Sequence, residues 1–219
     1  MLLTTLRVLA VGALFSLVGA AQPVDTPVTR AEIAAWGDSL TAGHGTYKPG
    51  EKYPAVLATL TGRTVFNGGV GAEISTEIAD RFMAAPKAAK IVVIWSGRND
   101  YSQHDQVNAN IARMVAALTP DQHYLILGII NAEGEARGTE PYKSIAEENA
   151  ALAATYGENY VPVREALVAL ADPGKPADMA NKADDIPPKS IRSDYLHLNA
   201  AGYAAVARIV ADVIAKRGW

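Results

Sequence analysis

Two segments, Ile91-Val92-Val93-Ile94-Trp95 and Leu125-Ile126-Leu127-Gly128-Ile129-Ile130, run for five and six residues without one charged or polar aliphatic side chain. A strand with one wet face alternates polar and apolar residues. A strand that is apolar at every position must be covered on both faces, as in a parallel sheet flanked by helices. The rest of the chain is patterned accordingly. Strands are expected at 32–36, 64–67, 90–96, 123–130 and 160–163, and helix-period segments lie between them at 53–60, 75–84, 106–118 and 142–156, with a last one at 199–216. Val107, Ile111, Met114, Val115 and Leu118 have the spacing of a helix laid on a sheet. Asn199 is placed to cap the last helix at its start and Gly218 to end it. Strand and helix in regular alternation imply right-handed crossovers and an α/β fold, a three-layer sandwich around a parallel sheet. No internal repeat or low-complexity stretch interrupts it.

The first residues follow a different logic. One basic side chain, Arg7, precedes an apolar run from Val8 to Val18 and the small residues Gly19-Ala20-Ala21, the layout of an export signal. The run is shorter than the roughly 20 residues that cross a bilayer, so no permanent membrane anchor is expected. The organisation read from the sequence is a signal peptide at 1–21, a proline-containing linker at 22–29 and one domain at 30–219. The mature protein is expected in a periplasm or outside the cell.

Without Arg7 the chain has 19 basic against 23 acidic residues, and its basic side chains are scattered rather than grouped beside aromatics. That balance argues against a nucleic-acid partner. There is no cysteine, which excludes disulfides, thiolate metal sites and a cysteine nucleophile. The sequence does not specify an oligomeric state.

Three short blocks fall just after expected strands or before the last helix: Gly37-Asp38-Ser39-Leu40, Gly97-Arg98-Asn99-Asp100 and Asp194-Tyr195-Leu196-His197. Ligands of such sheets bind at the carboxyl ends of the strands, where the first two blocks lie. A serine hydroxyl is a weak nucleophile until a base takes its proton, and histidine titrates in the range needed. Asp194 precedes His197 by three residues, close enough for its carboxylate to reach the imidazole Nδ1–H while Nε2 faces Ser39. The blocks together supply what acyl transfer requires: a nucleophile, an oriented base and donors for an oxyanion.

These motifs resemble the SGNH hydrolase superfamily, also called GDSL esterases and lipases, and the resemblance covers about the whole mature chain. It implies a five-stranded parallel sheet of flavodoxin-like order 2-1-3-4-5, ester hydrolysis through an acyl-serine, and neither cofactor nor metal. By motif it assigns Ser39 as nucleophile, His197 as base and Asp194 as its partner, with the oxyanion hole formed by the N–H of Ser39, an N–H from the second block and the Asn99 amide. In that block, Asn67-Gly68-Gly69-Val70-Gly71-Ala72-Glu73-Ile74-Ser75, Ala72 stands where the family has glycine; alanine keeps the N–H, and Gly71 is the alternative donor. Substrate contacts are sought at Gly71, Arg98 and Asp38, although Arg98 could equally form a surface salt bridge.

The implied substrate is a small or short-acyl ester, with carbohydrate O-acetyl esters among the candidates. The alternatives are a non-catalytic carbohydrate-binding protein on the same fold and an O-acyltransferase that resolves the acyl-serine with a sugar hydroxyl. Other features have plainer readings. Gly69-Val70-Gly71 lacks the third glycine of a dinucleotide fingerprint, since Ile74 stands there. Trp36 and Trp95 are read as packing beneath the site, and Asp100 as a cap for the helix that follows it. His123 is read as structural, and His44 and His104 as solvated loop residues after strand ends, with a place at the mouth of the site as the alternative. Residues 172–193, with four prolines, are read as a long irregular loop in which Asp178, Asp184 and Asp185 are solvated.

Overall fold

The computed structural model describes residues 26–219. The expected signal peptide and the first part of the expected linker lie outside the described residues. Five strands, β1 (Ile33–Gly37), β2 (Val65–Gly69), β3 (Ile91–Trp95), β4 (His123–Leu127) and β5 (Tyr160–Val161), form one parallel sheet in the order β2-β1-β3-β4-β5. The helices are α1 (Ser39–Ala42), α2 (Tyr53–Thr61), α3 (Ser75–Ala84), α4 (His104–Ala116), α5 (Glu140–Tyr156), α6 (Val163–Val168), α7 (Pro176–Ala183) and α8 (Ala200–Arg217).

Every residue of β1 and β3 is buried, and successive side chains enter opposite layers. Ile33, Ala35, Ile91, Val93 and Trp95 pack with α2, α6 and α8, against Leu57, Leu167, Tyr203, Val206 and Val210. Ala34, Trp36, Val92 and Ile94 pack with α3, α4 and α5, against Ile78, Phe82, Val107, Ile111 and Leu152. Burying each of these larger side chains contributes roughly 1.5–3 kcal/mol. The two layers together explain why the central strands tolerate no polar position. Trp36 meets Phe82 edge-on and Phe66 at a tilt, while the Trp95 indole donates to Gly128 O, so both tryptophans pack within the core. The last helix starts at Asn199, whose side chain accepts from Ala201 and Gly202 N–H, and it ends at Gly218 in left-handed geometry.

Several expectations are corrected. The fourth strand stops at Leu127 instead of 130, because the Asn149 side chain takes both backbone groups of Ile129 (Nδ2 to its O at 2.9 Å, its N–H to Oδ1 at 2.8 Å). The fifth stops at Val161, since Pro162 has no N–H for a ladder and α6 begins at once. Residues 172–193 are not structureless, since Pro176 opens α7 as a first-turn proline and Lys189–Ile191 form a 3₁₀ turn. Nor are the acids there solvated as a group. Asp178 is buried and accepts from both the hydroxyl and N–H of Ser190, and Asp185 pairs with Arg164 and accepts from Tyr142. The end of the expected linker also has structure, as Val28–Arg30 form a 3₁₀ turn and Val28 packs on the α3 side of the sheet.

Candidate active site

The site forms where β1, β2 and β3 end. β1 leaves the sheet at Gly37, where a Cβ would stand 2.3 Å from both Trp95 O and Thr41 Oγ1, so the turn closes only around a residue without a side chain. Asp38 caps α1 by accepting from Leu40 N–H at 2.9 Å, which fixes Ser39 as the first residue of that helix. Burial pushes the Asp38 carboxyl up to about 7, aided by the charge of Asp100, while the Leu40 N–H and the charge of Arg98 oppose the shift. At 1 % exposure Asp38 cannot meet a substrate. The expected contact is replaced by the capping role.

Asp194 and His197 lie in a closed loop. Arg192 and Leu198 form an isolated antiparallel bridge, Ser193 N–H donates to His197 O, and Asp194 Oδ1 accepts from the N–H of Leu196 (2.8 Å) and His197 (2.6 Å). Leu196 and Leu198 are buried in the core, which turns the intervening His197 toward the opposite side. Its Nδ1 stands 2.8 Å from Asp194 Oδ2 and its Nε2 3.0 Å from Ser39 Oγ. An ionised carboxylate only accepts, so Nδ1 carries the hydrogen and Nε2 is free to receive one from the serine. Partial burial would raise the Asp194 carboxyl, but the N–H of Leu196, the imidazole and the N–H of His197 outweigh it and hold Asp194 below its ordinary value.

Sequence reasoning missed Arg192. Its side chain is fully buried and donates to Pro187 O, Glu133 Oε2, Asn181 Oδ1 and the carbonyls of Asp194 and Tyr195, at 2.9–3.1 Å. All of its nitrogens are engaged, and the loop is thereby tied to α7 and to the segment after β4. The available signal was an arginine two residues before Asp194, flanked by Ile191 and Ser193 after the Pro187-Pro188 pair.

The second block wraps around α1 from the other side. A Cβ on Gly69 would stand 2.0 Å from Ala42 N. Ala72 is exposed and adopts φ 66°, the left-handed geometry that residues with a side chain seldom take. Asn99 is exposed and its Nδ2 donates to Glu73 O at 2.8 Å, one residue beyond Ala72, which brings the second and third strand ends together. Asp100 does not cap the helix after it. It is buried and accepts from the N–H and hydroxyl of Ser75, pinning the start of α3 instead.

Arg98 is 7 % exposed and donates twice to Glu135, at 2.8 and 2.9 Å, so it forms a buried ion pair rather than the expected surface bridge or substrate contact. Gly71 lies against the ring of His44. His44 is exposed but stands beside His197, with ring centroids 5.5 Å apart, and is not a free loop residue. His104 is half-buried and shares a hydrogen bond with Ser144 Oγ, and His123 is exposed and stacked on Trp219 rather than buried in its strand. Among the described residues, no group of three His, Asp or Glu side chains is arranged to hold a metal, and no helix is long and apolar enough to cross a membrane.

A parallel sheet of this order, with a serine, histidine and aspartate joined in series at its carboxyl edge, defines a class of esterase. The chain belongs to the GDSL-like lipase/acylhydrolase family, whose model matches residues 35–205, and the family is one of carboxylic ester hydrolases. Solved structures share the fold. One is a G-D-S-L family protein of Desulfitobacterium hafniense DCB-2, 18 % identical, with a TM-score of 0.65 over 83 % of this chain and 98 % of that one. Another is the acetylxylan esterase Axe2 of Geobacillus stearothermophilus, 17 % identical, with a TM-score of 0.62 over 84 % of this chain and 94 % of that one. The tail spike protein of Salmonella phage epsilon15 is 28 % identical over 145 residues, 59 % of this chain. The chain spans 13 % of the length of that relative.

Proposed function

We propose that the protein hydrolyses small or short-acyl esters through an acyl-serine intermediate, with O-acetyl groups on carbohydrate as the substrate class. The observation that carries this reading is the series Ser39 Oγ, His197 Nε2, His197 Nδ1, Asp194 Oδ2, with contacts of 3.0 and 2.8 Å. Ser39 Oγ attacks the ester carbon as its proton passes to His197 Nε2. The carbonyl oxygen takes up negative charge facing the N–H of Ser39, the N–H of Ala72 or Gly71, and the Asn99 amide. Collapse expels the alcohol, which receives the proton from His197, and water then repeats the cycle to release the acid. Asp194, kept ionised, stabilises the imidazolium that forms in both halves.

Two observations support a small acyl group on a bulky polar alcohol. Exposed side chains follow directly on site elements, Val70 after β2 at 42 % and Tyr195 after Asp194 at 60 % exposure, and are available to a ligand that extends beyond Ser39. A structural neighbour is an acetylxylan esterase. The sequence pattern of residues 1–21 supports an exported protein, and fractionation of expressing cells with and without that segment tests it.

A fluorophosphonate probe and a p-nitrophenyl ester series of increasing acyl length test the chemistry. Labelling should disappear in Ser39→Ala, turnover should drop on the order of 10⁴-fold or more, and rates should decline beyond short acyl chains. An unlabelled wild-type protein that turns over no ester would falsify the proposal.

A further inference from the structure

His44 is set in place more firmly than an exposed loop histidine needs to be. It follows Gly43, the left-handed C-cap of α1. Its N–H donates to Ser39 O at 3.0 Å, and its carbonyl accepts from the hydroxyl of Tyr203, a side chain fully buried in α8, at 2.6 Å. The next residue, Gly45, has φ 92°, and a Cβ there would stand 2.1 Å from Ser193 Oγ and 2.5 Å from Leu198 O, so the backbone of the His44 loop lies directly on the His197 loop.

The ring is seated as well. An ideal Cβ on Gly71 would stand 2.5 Å from His44 Cε1 and 3.0 Å from Nε2, so the imidazole occupies the space a side chain at 71 would fill. The same ring stands beside that of His197, with centroids 5.5 Å apart and the planes inclined by 49°. His44 therefore bridges the residue that carries the serine's proton and the residue next to Ala72.

Position determines which part of an ester it can reach. The leaving alcohol oxygen takes its proton from His197 Nε2, so the atoms bonded to that oxygen emerge beside His197, toward His44. We infer that His44 is a specificity-determining residue that hydrogen-bonds a hydroxyl on the carbon adjacent to the ester-bearing carbon of the alcohol, selecting esters of vicinal diols such as sugars and polyols over esters of simple alcohols. Partial burial and the neighbouring His197 and Lys52 depress the His44 imidazolium, against the opposing charge of Asp194. A neutral imidazole can both donate to and accept from a hydroxyl, and it adds no charge to oppose protonation of His197.

This inference rests on the ester hydrolysis proposed above and deepens it. A matched substrate pair tests it: glyceryl 1-acetate, which has the adjacent hydroxyl, and n-propyl acetate, which lacks it. The wild type should favour the glyceryl ester about tenfold in kcat/KM, as one hydrogen bond in a partly desolvated site allows. In His44→Ala that preference should collapse to about twofold or less, mostly through KM, with part of it restored in His44→Gln. Gly71→Ala should reproduce the collapse with His44 still present, because the new methyl displaces the ring from its seat. A wild type without preference, an equal loss on both esters in His44→Ala, or a preference that survives both variants overturns the inference. Failure to hydrolyse either ester would instead count against the hydrolase reading.

Discussion

The two sides of the Ser39 site are built on different principles. On the acid–base side, Asp194 and His197 are fixed by side-chain hydrogen bonds, two backbone donors to one carboxylate oxygen and the saturated guanidinium of Arg192 beneath. On the opposite side, Ala72 and Asn99 are exposed and fewer contacts hold them: a positive φ at Ala72, one hydrogen bond from the Asn99 side chain to Glu73 O, and the buried Asp100 carboxylate that holds the start of α3. A proton relay tolerates little error in direction, since a displacement of about 1 Å can cost 10²-fold. Donors to an oxyanion share the developing charge, and losing one of them costs roughly 10² to 10³ in kcat while the others remain. The difference teaches that this site holds Asp194 and His197 by many directed contacts and the Ala72 and Asn99 side by few.

Substitutions on either side sharpen or break that contrast. The largest expected effect is on the receiving side, where Asn99→Ala should lower kcat by roughly 10² to 10³ with KM little changed; single-turnover kinetics giving wild-type rates would remove Asn99 from the role. On the relay side, Arg192→Lys keeps the charge but not the set of directed donors. The loop should loosen, kcat should fall about 10- to 100-fold, and the melting temperature should fall with it. A variant that loses stability but keeps kcat would show that the loop holds its shape without the guanidinium.

A third prediction concerns the support under the receiving side. Glu148 is fully buried on α5, and burial together with the Asp100 charge pushes its carboxyl up to about 7, with the Asn108 amide opposing. Its folded value exceeds its ordinary 4.5, so its contribution to stability is complete below about pH 4.5 and is lost as pH rises through about 7. Asp38, raised for the same reason, adds to the same trend. Glu148→Gln should therefore gain about 2–4 °C over wild type at pH 8 relative to pH 5, read by thermal unfolding across that range; a parallel pair of curves would show that Glu148 is not protonated in the fold.

The smallest effect is expected at Ala72. A left-handed alanine costs about 1 kcal/mol or more relative to an unstrained residue, and glycine returns part of that as chain entropy in the unfolded state. Ala72→Gly should raise stability by about 0.5 kcal/mol and alter turnover by less than about threefold. Denaturant unfolding that shows the variant to be less stable would mean that the methyl group makes a contact worth more than the strain.

The sequence was most informative where residue type and geometry coincide. The apolar runs at Ile91 and Leu125 locate two buried strands, and the spacing of Asp194 and His197 places both on one turn of chain. Boundaries set by distant side chains were not legible, as at Ile129, where a residue twenty positions later replaces the strand partner. α7 was hidden by its composition, because a proline start and polar residues look like loop until Asn181 and Asp178 are seen to engage Arg192 and Ser190. His44 was legible only as a loop residue that could line the mouth, since its significance depends on what lies across from it, on Gly71 and His197. The positive φ at Ala72 has no signal in an alanine.

The loop closed by Arg192 and Leu198 has a further consequence for how the site fails. His197 and Asp194 belong to one rigid body, and Ser39 to another, formed by β1 and α1. The relay then reduces to the separation of two bodies across a 3.0 Å contact, with no independent rotation of the aspartate to correct. Asn199 caps α8 and also donates to Ser190 O, so the body carrying His197 is joined to the longest helix among the described residues. Loss of activity on heating should follow the detachment of α8, and amide exchange in its first turn should report the event before the sheet opens.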